Sequence, residues 1–207
     1  ALDMMGMTYG ALERPSDALS SYSSALALWR ELGDADGEAR TLDKIGMVHE
    51  TLGQPQEALQ TYEAALSIYR SSGDRLGEAL TLDNVGWLYR KEGRPALALE
   101  VYKVALPLWR EMGDRSNEAL VLLHMGDTLA TEEPEEALNH YDQALSIWRE
   151  VGDRRWEGAT LEGMGRAYAA AGLRAEARQS LIEARVIYGE LGDEAAVEQI
   201  DDLLKNL

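Results

Sequence analysis

Apolar residues recur along this chain at helical spacing, and strand-like alternation appears nowhere. Leu42, Ile45, Gly46 and His49 fall at i, i+3, i+4 and i+7, one stripe of a 3.6-residue period. After a break at Leu52-Gly53-Gln54-Pro55 the stripe resumes at Ala58, Leu59, Tyr62, Ala65, Leu66 and Tyr69. The same pair of stripes returns as Leu82, Val85, Gly86, Tyr89 and then Ala98, Tyr102, Ala105, Leu106, Trp109. The pattern predicts helices in pairs and an all-α chain.

The pairs keep time. Gly-Asp recurs at Gly33-Asp34, Gly73-Asp74, Gly113-Asp114, Gly152-Asp153 and Gly192-Asp193, at intervals of 40, 40, 39 and 40 residues. A second glycine recurs at Gly6, Gly46, Gly86, Gly126 and Gly165 and loses one residue in the same repeat, at the short turn Thr131-Glu132-Glu133-Pro134. At each Gly-Asp, a left-handed glycine is expected to end one helix and the aspartate to cap the next. Glu38, Glu78, Glu118, Glu157 and Glu194 then fall in or near a first turn, where the helix dipole favours anions. Pro15, Pro55, Pro95 and Pro134 are placed to start second helices, where a missing N–H is harmless. The fifth unit has Gly172-Leu173-Arg174 there and is expected to hold the least rigid turn. Gly46 is expected to face Ala58 and Ala65 at a close helix approach. Tyr22, Tyr62, Tyr102 and Tyr141, with Trp29, Tyr69, Trp109, Trp148 and Tyr188, are expected to form the core between units. Pro107 lies inside a second helix and is expected to kink it.

Leu82, Val85-Gly86, Tyr89, Ala98, Tyr102 and Ala105 resemble the tetratricopeptide (TPR) repeat, whose first helix carries Leu-Gly and Tyr and whose second carries Ala, Tyr/Phe, Ala. The usual unit has about 34 residues. The added Gly-Asp-Arg-x-Gly-Glu segment is similar to the 40-residue subclass found in Leu-Gly-Asn-repeat adaptors, kinesin light chains and bacterial arrays joined to CHAT or NB-ARC domains. Leu129 and Leu181 depart from the family's aromatic preference. The resemblance implies an alpha-alpha superhelix: one TPR solenoid domain over residues 1–207, with repeats at about 1–33, 34–73, 74–113, 114–152 and 153–192. A capping helix over 193–207 would carry the stripe Val197, Ile200, Leu204, Leu207. Leu2, Met5 and Tyr9 are expected to leave an uncapped apolar surface at the N-terminal end, open to self-association, and the chain reads as a fragment of something longer.

Composition narrows the function. Twenty Lys and Arg against 37 Asp and Glu give a net charge of −17, which argues against nucleic acid as a partner. With no cysteine there is no thiolate chemistry, and no apolar run is long enough for a membrane span. His49, His124 and His140 are scattered, and the loop-like Asp34-Ala35-Asp36-Gly37 has Ile45 where calcium needs a glutamate. No enzyme activity, metal or cofactor is expected. The expected setting is cytoplasmic. The expected role is a protein–protein interaction scaffold that binds a peptide or helical segment in its concave groove. The alternative is the sensor or regulatory arm of a larger bacterial enzyme, a caspase-like CHAT protease or a STAND/NB-ARC ATPase.

By the family pattern, the first helices line that groove. They offer Asp3, Met4 and Met7; Arg40, Asp43, Lys44, Met47 and Glu50; Asp83, Asn84, Trp87, Arg90 and Lys91; His124 and Asp127; and Glu162 and Arg166. These positions differ from unit to unit, as recognition of a single partner requires. Trp87 stands out because its equivalents are Met7, Met47, Asp127 and Arg166, so packing does not demand an aromatic there. Residues 79–118 carry zero net charge, against −6 over 119–157, and Arg90, Lys91 and Arg94 cluster in them. A partner with an acidic contact near the centre and basic flanks would match. Trp156 stands where other units have Gly37, Gly77 or Asn117, as an exposed contact or a cover for a helix end.

Overall fold

The computed structural model describes residues 14–207. The expectations for Leu2, Asp3, Met4, Met5, Gly6, Met7 and Tyr9 lie outside them. Ten helices run in order among the described residues: α1 (Pro15–Leu32), α2 (Ala35–Thr51), α3 (Pro55–Ser72), α4 (Arg75–Lys91), α5 (Pro95–Met112), α6 (Arg115–Leu129), α7 (Pro134–Val151), α8 (Arg154–Ala170), α9 (Arg174–Glu190) and α10 (Glu194–Lys205). No strand occurs among them. The fold is the all-α TPR architecture of successive helical hairpins. Two compact units divide between Arg94 and Pro95. In the first, α1 packs on α2, α2 on α3 and α3 on α4; in the second, each of α5 to α9 packs on the next.

The punctuation works as the sequence implies. Asp34, Asp74, Asp114, Asp153 and Asp193 each accept a hydrogen bond from the amide three residues on, at 2.9–3.2 Å. The glycines before them all have positive φ, between 68° and 78°. Prolines open α1, α3, α5 and α7, and α9 opens at Arg174 without one or a side-chain cap. The missing residue of the fourth repeat is absorbed where α6 ends: α6 has 15 residues and α2, α4 and α8 have 17. Helix α5 runs unbroken from Pro95 to Met112 with Pro107 inside it.

The close approach at Gly46 differs from the expectation. A Cβ there would stand 2.5 Å from Tyr62 Cε1, and its three nearest neighbours are all Tyr62 ring atoms. Ala58 and Ala65 sit about one turn to either side of Tyr62, both fully buried. A flat ring, wider than the two methyl groups, therefore meets the bare backbone. Gly126 meets Tyr141 in the same way, and Gly165 meets Leu181, the residue standing in for the aromatic. Tyr69, Trp109, Trp148 and Tyr188 are buried and Trp29 is half-buried. Trp156 stacks on Trp148, ring centroids 5.9 Å apart and planes 19° from parallel. It covers the end of the neighbouring helix.

The first-turn glutamates do more than meet a dipole. Glu78, Glu118 and Glu157 are buried, and each is gripped by two arginines. Arg70 and Arg75 bond Glu78, Arg110 and Arg115 bond Glu118, and Arg149 and Arg154 bond Glu157, at 2.5–3.2 Å. At Glu157 burial opposes ionisation, but the bonds from Arg149 and Arg154 outweigh it and hold the carboxyl below its ordinary range.

Candidate functional site

In the first unit, α2 and α4 lie side by side as successive first helices. The 3.6-residue period puts Met47 and Thr51 on one face of α2, and Asn84, Trp87 and Lys91 on one face of α4. Together with Glu50 these side chains line a surface depression of about 310 Å³. Met47 is 52% exposed and Trp87 37%, although both are large and apolar. The Lys91 ammonium stands over the Trp87 indole, 4.9 Å from its centroid, in cation–π range. The site thus offers an aromatic and a thioether flanked by one cation and one carboxylate.

Other residues of the sequence reading serve the fold as well. Asp43 accepts hydrogen bonds from the Tyr69 hydroxyl and the Thr81 hydroxyl, both at 2.8 Å, and so joins α2, α3 and α4. Glu50 accepts from the Tyr62 hydroxyl. Arg40 is exposed and pairs with Asp36 at 2.6 Å. Lys44, Asp83 and Arg90 are half-buried. In the second unit, His124 packs its ring against Tyr102, centroids 5.8 Å apart, and Asp127 accepts from Tyr141 at 2.9 Å. Glu162 accepts from Tyr188 and Gln199 and pairs with Arg166. Of the residues singled out from sequence, then, Met47, Asn84, Trp87 and Lys91, with Glu50, come together around one depression. Thr51 was missed; it lies one turn after Met47, as Lys91 does after Trp87, and that spacing is the signal that finds it.

Burial lifts the Asp43 carboxyl to about 6, although the bonds from Thr81 and Tyr69 and the nearby Lys44 pull the other way. Burial also raises Glu50, against its bond from Tyr62. An acid whose pKa is higher in the native state binds a proton between about pH 4 and 6 that the unfolded chain does not, so acidification through that window favours folding. Relative to Asp43→Asn, the unchanged chain is expected to gain about 1 kcal/mol between pH 7.5 and 5 in urea unfolding. A difference between the two that stays constant with pH would show that Asp43 does not titrate this way.

No described helix is long and apolar enough to cross a membrane. Among the described residues, no group of three or more His, Asp and Glu is placed to hold a metal ion.

Paired helices in 40-residue register, small residues at the close approaches and Gly-Asp joints define a helical-repeat protein. The tetratricopeptide repeat model matches residues 1–71, 62–111 and 116–190, and the chain belongs to the tetratricopeptide repeat family. Among solved structures, the apo form of RapI is similar with a TM-score of 0.90 and 19% identity, over 98% of this chain and 74% of that one. The STAND protein PH0952 from Pyrococcus horikoshii, which has a tetratricopeptide repeat sensor, scores 0.86 at 16% identity over 96% of this chain and 31% of its own. A putative kinesin light chain with nearly identical TPR-like repeats, from Podosopora anserina, scores 0.79 at 15% identity over 93% of this chain and 95% of its own. At such identities the likeness is one of fold. Among curated proteins none matches the sequence.

Proposed function

We propose that this chain is a protein-interaction module that binds a peptide or helical segment across its first helices, with the α2–α4 depression as the anchoring point in the first unit. The observation that supports it is the exposed Met47–Trp87 pair beside Lys91, at positions that other repeats fill with Asp127 and Arg166. Large, partly exposed aromatics are a common hot-spot type. The reading assigns no catalysis to the chain and takes its setting to be cytoplasmic. Arg40, Asp43, Lys44, Asp83, Arg90, His124, Asp127, Glu162 and Arg166 belong to the same proposal as neighbouring contacts, several of them held in place by their tyrosine partners.

Peptides selected from a random displayed library on the intact chain provide the test. Trp87→Ala is expected to weaken the selected peptides at least tenfold, about 1.4 kcal/mol, with an unchanged circular dichroism spectrum. Arg90→Glu is expected to weaken acidic members of the set. Selected peptides that bind Trp87→Ala as well as the parent would overturn the placement.

A second reading draws support from the likeness to the STAND protein with a repeat sensor. In it the module is the sensing arm of a larger enzyme. Its expected outcome is a P-loop or caspase-like domain encoded beside these residues.

A further inference from the structure

The open face of α4 is apolar over most of its length. Leu76, Leu80 and Trp87 are 52%, 46% and 37% exposed. They fall at i, i+4 and i+11, on one side of the helix. The same positions on α2 read Asp36, Arg40 and Met47, and the first two pair with each other at 2.6 Å. The repeat therefore does not ask for leucine at either place. On α4 an apolar ridge runs on from the Met47–Trp87 depression toward the start of the helix.

Charge marks the edges of this face. Every carboxylate of α2 is engaged: Asp36 by Arg40, Glu38 by Arg30, Asp43 by Tyr69 and Thr81, and Glu50 by Tyr62. Lys44, half-buried on α2, and Lys91, exposed at the end of α4, take part in no ion pair among the described residues. On a chain of net charge −17, the site keeps two ammonium groups without a carboxylate partner.

We propose that the partner meets this face as an acidic amphipathic helix laid along α4. The inference rests on the α2–α4 reading above and adds the partner's conformation and charge. Along the axis, Leu76 to Leu80 is about 6 Å and Leu80 to Trp87 about 10.5 Å, at 1.5 Å per residue. A helix lying alongside has steps of the same size and keeps them on one face. A strand rising about 3.3 Å per residue would span them in two and three residues, and the odd step would turn its third contact away. Apolar side chains of the partner helix would cover the ridge, and carboxylates at its edges would meet Lys44 and Lys91.

The probe is a blocked four-turn peptide, held helical by a hydrocarbon staple on its outer face. It carries leucine at i, i+4, i+7 and i+11 and glutamate along both edges. Fluorescence anisotropy on the intact chain is expected to show saturable binding and displacement of the Trp87-dependent library peptides. A lysine-for-glutamate helix, and an unstapled peptide in which leucine and glutamate alternate, are each expected to bind at least tenfold more weakly. Leu76→Gln/Leu80→Gln, two changes at exposed helix positions that tolerate glutamine, is expected to weaken the stapled helix at least tenfold with an unchanged circular dichroism spectrum. Lys44→Glu/Lys91→Glu is expected to do the same. No saturable binding by the parent chain, equal binding by the alternating peptide, or full-strength binding by the glutamine pair would overturn the proposal. If the library peptides still lose affinity in Trp87→Ala, the depression reading outlives that result. If they do not, the reading itself has failed and takes the helix proposal with it.

Discussion

Trp109→Ala is expected to lower the stability of the second unit by about 4 kcal/mol, the upper range for deleting a buried aromatic. The ring is fully buried on α5, and α5 packs on α6. Neighbours held on both sides by helix ladders close poorly over such a void, so most of its volume would persist as a cavity. For a chain of this length the melting temperature is expected to fall by roughly 8–16 °C. Trp29 provides the internal comparison. It occupies the equivalent position but is half-buried, and Trp29→Ala is expected to lose about half as much. Calorimetry on the two variants checks this, and hydrogen exchange should place the loss around α5 and α6. A Trp109→Ala loss under about 1 kcal/mol would mean that the joint repacks, contrary to a fixed interdigitated core.

Gly46→Leu is expected to be the second most damaging change, at about 3 kcal/mol from overpacking. The first atom added already lies 2.5 Å from the Tyr62 ring, and Tyr62 is not free to swing away. Its ring is fully buried and its hydroxyl is bonded to Glu50. The new side chain would therefore push α3 away from α2, and with it the depression that Glu50 and Met47 help to line. Unfolding by denaturant is expected to show a lower midpoint, with a melting temperature reduced by roughly 6–12 °C. Near-native stability would mean that the tyrosine has another rotamer available in the core.

Most of this fold was legible because the same information is written five times. A single Gly-Asp is weak evidence for a helix joint; five at near-constant spacing fix the phase of every helix. The Arg–Glu clamps were equally legible in principle, since Arg30, Arg70, Arg110 and Arg149 each precede their glutamate by eight residues. Read one helix at a time, those glutamates look like dipole partners, because the arginine belongs to the preceding element. The partnership at Gly46 escaped for a related reason. Helical spacing marks which face of α3 meets α2, but Ala58, Tyr62 and Ala65 share that face, and only the backbone separation decides which of them reaches the glycine.

The candidate surface was legible only by contrast. Met47 and Trp87 stand out because the repeat does not ask for them. Asp127 stands out for the same reason, whereas Asp43 and Glu162 share one repeat position with Asp3 and Asp83; yet Asp43, Asp127 and Glu162 each accept a hydrogen bond from a tyrosine on a second helix. Sequence position says that a carboxylate is on the inner face of a first helix; it does not say that a phenol from the next element arrives at the same point. A polar position on that face, varied like Asp127 or recurrent like Asp43 and Glu162, therefore marks a contact residue in one place and an internal strut in another, and coordinates separate the two.

The Gly-Asp joints have a genetic corollary. Because Arg30 would find in Glu78 the same acceptor it has in Glu38, and Trp29 would find in Gly77 the same bare backbone it has in Gly37, deleting residues 34–73 would leave two ends that already match. Unequal crossing-over between such units can lengthen or shorten the gene in whole steps without inventing a new seam. Descendants of this chain would then be expected to vary in reach sooner than in the chemistry of their joints.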